Sequence, residues 1–227
     1  MKTNSLLKTY MGFTIIYLGL LFFNLEGFDV FMKPVLLPIL LAAVAVSEDF
    51  STKKILLIAL TFSWIGDIIL LFTDKGELYF IFGLIAFLIS HLVYIVLFSK
   101  QQSTRTYSNK VLFWVGFVAI LSYFIFMINT LFPKLGPLKI PVLVYAIVIT
   151  TMLFFAFKGS LKWSIPANNY ILIGAIVFVS SDSILAFNKF YAPITQASFF
   201  IMATYCVAQY LIVAGILKLN SNDRNDL

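Results

Sequence analysis

Apolar residues run along this chain in long stretches, and the polar positions between them are gathered into short clusters. Eight stretches stand out, over residues 9–24, 33–46, 54–72, 78–98, 111–132, 140–157, 170–187 and 198–217. A bilayer core takes about 20 residues of helix, and lipid leaves a single span no other way to satisfy its backbone groups. The pattern therefore predicts an all-α polytopic membrane protein with eight transmembrane helices. The second stretch is short and opens at Lys33-Pro34, where proline would suit a helix's first turn. Breakers such as Asp74-Lys75-Gly76, Gly136-Pro137 and Ser164-Ile165-Pro166 mark short loops. The expected organisation is one eight-helix transmembrane domain over 1–219 and a polar, disordered tail over 220–227.

Composition agrees with the pattern. Of 227 residues, 61% are hydrophobic and 11% charged, with a mean hydropathy of +0.99; a soluble domain is about one quarter charged. Lys2 and Lys8 flank the first stretch, which lacks a small-x-small cleavage site and so reads as a retained span. The net charge of +6 carries no Lys/Arg block or aromatic-basic platform, which argues against nucleic acid. Cys206 stands alone, so there is no disulfide framework. On an eight-span topology, eleven of the sixteen Lys and Arg fall on one side and five on the other. That asymmetry predicts cytoplasmic termini, and the Lys- and Phe-rich, Asn-containing composition points to a bacterial cytoplasmic membrane.

Charge inside the spans changes the picture most. Asp67 interrupts the third stretch, and a carboxylate at the bilayer centre costs roughly 2.5–3.5 kcal/mol even on the lenient insertion scale. The same offence recurs 115 residues later, where Gly66-Asp67-x-Ile69-Leu70-x-Phe72 is echoed by Ser181-Asp182-x-Ile184-Leu185-x-Phe187. The echo suggests a 4+4 duplication about an axis along the membrane normal, which would set the two aspartates facing each other. Outside the motif the repeat is weak: His91 meets Cys206, and Tyr94 meets Gln209. Further polar residues lie within the spans. His91 and Tyr94 share a helical face with Phe87, Tyr205 shares one with Gln209, and Tyr145 sits early in the sixth stretch. Hydroxyls and amides in membrane bundles commonly bond neighbouring helices, and Lys33 has the position of a snorkelling interfacial lysine. Intramembrane carboxylates, by contrast, are functional by default.

Several chemistries drop out. One histidine and one cysteine do not furnish a conventional zinc site. No Gly-x-Ser-x-Gly elbow and no phosphate-cradling glycine loop occur. A pair of carboxylates with tyrosines remains, which suits acid–base work in a water-poor cavity, since two carboxyls withdrawn from water and set close together tend to keep one proton between them. A proton-coupled lipid or small-solute transporter would use the same residues, and composition does not separate the two.

The order and spacing of Lys33-Pro34, Gly66-Asp67-Ile68-Ile69-Leu70, Phe87 with His91-Leu92-Val93-Tyr94, Tyr145, Ser181-Asp182-Ser183-Ile184-Leu185 and Tyr205 with Gln209 resemble the YhhN-like family, the lysoplasmalogenases. The resemblance extends from residue 33 to residue 217 and leaves out the first span. It implies an eight-span membrane hydrolase that cleaves the vinyl ether of lysoplasmalogens, releasing a fatty aldehyde and glycerophosphoethanolamine or glycerophosphocholine, with no metal or organic cofactor. The expected partners are the lysophospholipid substrate and membrane lipids. Asp67 and Asp182 are the expected acid/base pair. The expected substrate-binding set is Lys33, His91, Tyr94, Tyr145, Ser181, Tyr205 and Gln209. Within it, Tyr94, Tyr145, Tyr205 and Gln209 would position water and the ether oxygen, His91 would orient one carboxylate, and Lys33 would meet the lipid phosphate.

Overall fold

The computed structural model describes residues 2–103 and 109–222. Arg105 and Arg224, two of the cations in the charge asymmetry, and residues 223–227 of the expected tail lie outside the described residues. All eight apolar stretches are helices: α1 Lys2–Phe22, α2 Asp29–Ala45, α3 Lys53–Leu70, α4 Glu77–Ser99, α5 Lys110–Leu131, α6 Lys139–Ser160, α7 Ala167–Ala186 and α8 Ala197–Asn222. No strand occurs among the described residues. Helix α8 continues three residues into the segment read as tail.

Six helical segments are long and apolar enough to cross a membrane: Lys2–Phe22, Glu77–Ser99, Lys110–Lys134, Gly136–Ser160, Ala167–Tyr191 and Ala197–Ser221. The chain is a multi-pass membrane protein. The two other helices fall short for different reasons. Helix α2 has 17 residues, about 26 Å at the α-helical rise, against a hydrocarbon core of about 30 Å. Helix α3 has 18 residues but carries Lys53, Lys54 and Asp67 among them.

The chain divides into two compact units, Met1–Lys100 and Gln101–Leu227. In the first, α1 packs on α2, α2 on α3 and α3 on α4, the last pair most extensively. Helix α2 begins at Asp29 rather than at Lys33, which corrects the placement of Pro34: it lies inside the helix, as does Pro38. Two prolines four apart leave a particular orphan, because the carbonyl of Pro34 would accept from the backbone N–H of residue 38, and proline has none. The indole of Trp64 on α3 fills the gap, donating to Pro34 O at 2.8 Å. The α3–α4 seam is close enough to require glycine twice. A Cβ on Gly66 would sit 2.7 Å from the Phe87 ring, and one on Gly83 would sit 2.4 Å from Leu70 Cδ2. Ser63 and Ser90 join across the same seam at 2.7 Å. Ser90 spends its proton on Ala59 O at 2.8 Å, so Ser63 is the donor. These pairs step in opposite directions along the two helices, fixing an antiparallel register.

In the second unit α5 packs on α6, α6 on α7 and α7 on α8, again with the last pair most extensive. Helix α5 opens on Asn109, whose side chain accepts from the N–H of Leu112 at 3.1 Å, an N-cap worth about 1 kcal/mol. Phenylalanines fill the α5–α6 seam, where Phe117 and Phe154 meet edge-on at 5.7 Å. Between α7 and α8, Gly174 lies against the backbone of Ala208 and Ile212. A π-helical turn, Phe187–Tyr191, prolongs α7.

Candidate active site

Asp67 follows Gly66 on α3 and is 3% exposed. It stands at the level where Phe87 covers Gly66, one helical turn from the Ser63–Ser90 bond. His91 adjoins Ser90 on α4 and is fully buried, as is Tyr94, whose ring stacks on Phe98 at 5.8 Å between centroids. The first unit thus carries Asp67, His91 and Tyr94 along the α3–α4 hairpin, all three buried. Lys33 is half-buried on α2 in the same unit, next to Pro34, whose carbonyl accepts from Trp64 of α3. It shares a helical face with Asp29, one turn earlier, and Asp29 Oδ1 accepts the hydroxyl hydrogen of Tyr17 from α1.

Asp182 has different surroundings. It is half-buried on α7, and Tyr145 of α6 donates its phenolic hydrogen to Asp182 Oδ2. Both line a half-open cleft between α5, α6 and α7. Its other walls are mainly apolar, among them Phe124, Met127, Leu131, Val142 and Val179. The remaining candidates of this unit are on α7 and α8. Ser181 is 1% exposed and donates to Ile201 O at 2.9 Å, tying α7 to α8. Tyr205 meets Phe178 edge-on at 5.6 Å, and Gln209 is fully buried one turn further along α8.

One polar pair on the cleft wall escaped the sequence reading. Tyr123 Oη of α5 and Ser183 Oγ of α7 lie 2.5 Å apart, beside Asp182 in the chain. The signal was faint: a tyrosine and a serine in apolar helices ordinarily mean only interhelical hydrogen bonding. Their separation of 60 residues leaves no periodic trace.

Comparison with known proteins completes the picture. The sequence model of the YhhN family matches residues 28–216. The chain belongs to that family. Curated relatives include the human lysoplasmalogenase TMEM86A, 33% identical over 170 residues, which cover 71% of this chain and 64% of the human protein. The rat lysoplasmalogenase TMEM86B is 28% identical over 77% of this chain and 66% of its own length. A Mycobacterium bovis lysoplasmalogenase is 30% identical over 78% of this chain and 66% of its own length. The match therefore spans a little under two thirds of these relatives. No solved structure matches the chain. The YhhN match includes Lys33, both aspartates, Tyr145, Tyr205 and Gln209, together with the Tyr123–Ser183 pair, and begins after α1.

Proposed function

We propose that this YhhN-family chain is a membrane hydrolase that cleaves the vinyl ether bond of lysoplasmalogens. The observation that carries the reading is Asp182: a carboxyl bonded by Tyr145, set in the wall of an apolar cleft, in a chain whose relatives bear the name lysoplasmalogenase. A vinyl ether hydrolyses when a proton adds to the carbon distal to oxygen, leaving an oxocarbenium ion. Water then bonds to the cationic carbon and gives up a proton. The resulting hemiacetal splits, the glycerol oxygen leaving with a proton and the former vinyl carbon becoming the aldehyde carbonyl. One carboxylic acid and one carboxylate are sufficient, the division of labour that glycosidases apply to a similar cation. Asp67 and Asp182 take these roles. Tyr145, whose proton goes to Asp182 Oδ2, fixes the direction of that carboxyl, and the half-buried Lys33 serves the lipid phosphate. Ethanolamine and choline lysoplasmalogens are the proposed substrates.

The accompanying architecture is eight spans, α2 and α3 completing the set, with both termini cytoplasmic in a bacterial membrane. A 4+4 duplication is supported by helix ends. Moved by the 115-residue spacing of the aspartates, the last residue of α2, Ala45, falls on Ser160, the last of α6. Lys53 and Leu70, the bounds of α3, fall on residues 168 and 185, each one residue inside the bounds of α7.

The test is aldehyde release from lysoplasmenylethanolamine by purified protein in detergent, with Asp67→Asn beside it. Release by the wild type and a near-complete loss in the folded mutant is the expected result. A folded wild type that releases no aldehyde, but moves lipid or solute in proteoliposomes under a pH gradient, would replace the hydrolase with a proton-coupled transporter.

A further inference from the structure

The hydroxyl pair beside Asp182 has a definite polarity. Ser183 Oγ lies 2.6 Å from the carbonyl oxygen of Val179 and donates its only proton there. Without that proton, two lone-pair-bearing oxygens would face each other at this separation. Ser183 therefore can only accept from Tyr123, and the 2.5 Å bond between them is Tyr123 Oη–H donating to Ser183 Oγ. A phenol has one hydrogen. Tyr123, held in this way, offers a ligand in the cleft an acceptor and no donor. The carboxyl oxygen Asp182 Oδ2 is likewise an acceptor, taking the hydrogen of Tyr145. The cleft thus sets acceptor oxygens from adjoining α7 positions and from α5 into walls that are mainly apolar, with the Thr150 hydroxyl on α6 as a further polar group. Its complement is a molecule with a long hydrocarbon chain and an alcohol close to the group that Asp182 addresses.

We propose that Tyr123 reads the free hydroxyl of a lysolipid whose hydrocarbon chain lies in the α5–α6–α7 cleft, and so determines specificity for the lyso form. The inference rests on the vinyl ether hydrolase reading of the same site. In a lysoplasmalogen the sn-2 hydroxyl is two carbons from the ether oxygen. A lipid whose ether is presented to Asp182 therefore carries its alcohol toward the neighbouring Ser183–Tyr123 pair. The alkenyl chain extends along Met127, Leu131 and Val142. A lipid acylated at sn-2 has no proton to give, and it would leave the Tyr123 oxygen desolvated and unmatched. Polar groups built to receive a hydroxyl reject analogues that lack it far more strongly than an apolar pocket rejects a change of size.

The discriminating experiment compares the lysoplasmalogen with its sn-2-deoxy analogue, which removes the hydroxyl without adding bulk, in wild type and Tyr123→Phe. In the wild type, kcat/KM should favour the hydroxyl substrate roughly 10- to 100-fold. In Tyr123→Phe the preference should shrink to within about threefold, through loss on the hydroxyl substrate and little change on the deoxy one. The same ratio is read in binding, as the inhibition constants of the two saturated 1-O-alkyl analogues. Displacement of a fluorescent lysolipid supplies it for any variant with slow turnover. A preference that Tyr123→Phe leaves intact in an active enzyme overturns the role of Tyr123 alone. A folded wild type that releases aldehyde from neither lipid overturns the hydrolase reading, and this inference with it.

Discussion

The hairpins α3–α4 and α7–α8 repeat one another in outline and differ in what they do with an aspartate. Moved by 115 positions, the bonded pair Ser63 and Ser90 becomes Phe178 and Tyr205, and these two are also in contact, as rings rather than hydroxyls. Gly66, which lets the Phe87 ring lie on α3, becomes Ser181, which reaches α8 through a hydrogen bond to Ile201 O. The same antiparallel register is thus held once by glycine and serine and once by an aromatic pair. Asp67 is 3% exposed, whereas Asp182 is half-buried and lines the cleft to which α5 and α6 contribute. Matching sequence places the two carboxyls at matching levels of their hairpins. The neighbouring helices decide how exposed each is.

The largest effect that would sharpen this comparison is on turnover. Asp67→Asn and Asp182→Asn should each lower kcat by about 10²–10⁴-fold, the range of a lost acid or base, measured as aldehyde release; a mutant of either residue with near-normal rates would break the pairing. Next comes Tyr145→Phe, which removes the donor to Asp182 Oδ2. Charge-assisted hydrogen bonds contribute roughly 1.5–3 kcal/mol, so kcat/KM should fall about 10- to 100-fold. The contrast in burial is read by lengthening each carboxyl. Asp67→Glu adds a methylene to a carboxyl that is 3% exposed and should cost about 1–3 kcal/mol, seen as a lower melting temperature in detergent. Asp182→Glu, with a cleft beside it, should melt close to the wild type. Equal melting shifts would contradict the difference in surroundings. Trp64→Phe leaves turnover alone: it orphans the Pro34 carbonyl and should cost about 1–3 kcal/mol of stability while leaving the rate per folded molecule unchanged.

Much of this was legible in the sequence, and particular residues show where legibility stopped. Long apolar runs announced all eight helices because a lipid environment admits no competing conformation. The start of α2 was misplaced because Lys33-Pro34 imitates a helix opening, while the helix begins at Asp29 after a short turn, Glu26–Phe28. Trp64 could not be foreseen as the partner of Pro34, since that bond exists only once α2 and α3 are side by side. The aspartates stood out because charge in an apolar run is expensive. Their unequal surroundings did not, because exposure is set by helices distant in sequence. The Tyr123–Ser183 pair was invisible for the same reason, and its polarity depends on a third atom, the carbonyl oxygen of Val179.

The central claim, that the carboxyls of this chain drive hydrolysis by protonating a vinyl ether carbon, is tested most directly by hydrolysis in D₂O, with the aldehyde trapped as it forms and its mass determined. One deuterium on the carbon beside the aldehyde carbonyl is predicted for the wild type, and little aldehyde for Asp67→Asn or Asp182→Asn. Aldehyde released without that deuterium would contradict carbon protonation, and labelled aldehyde formed at wild-type rates by both mutants would remove the aspartates from the reaction.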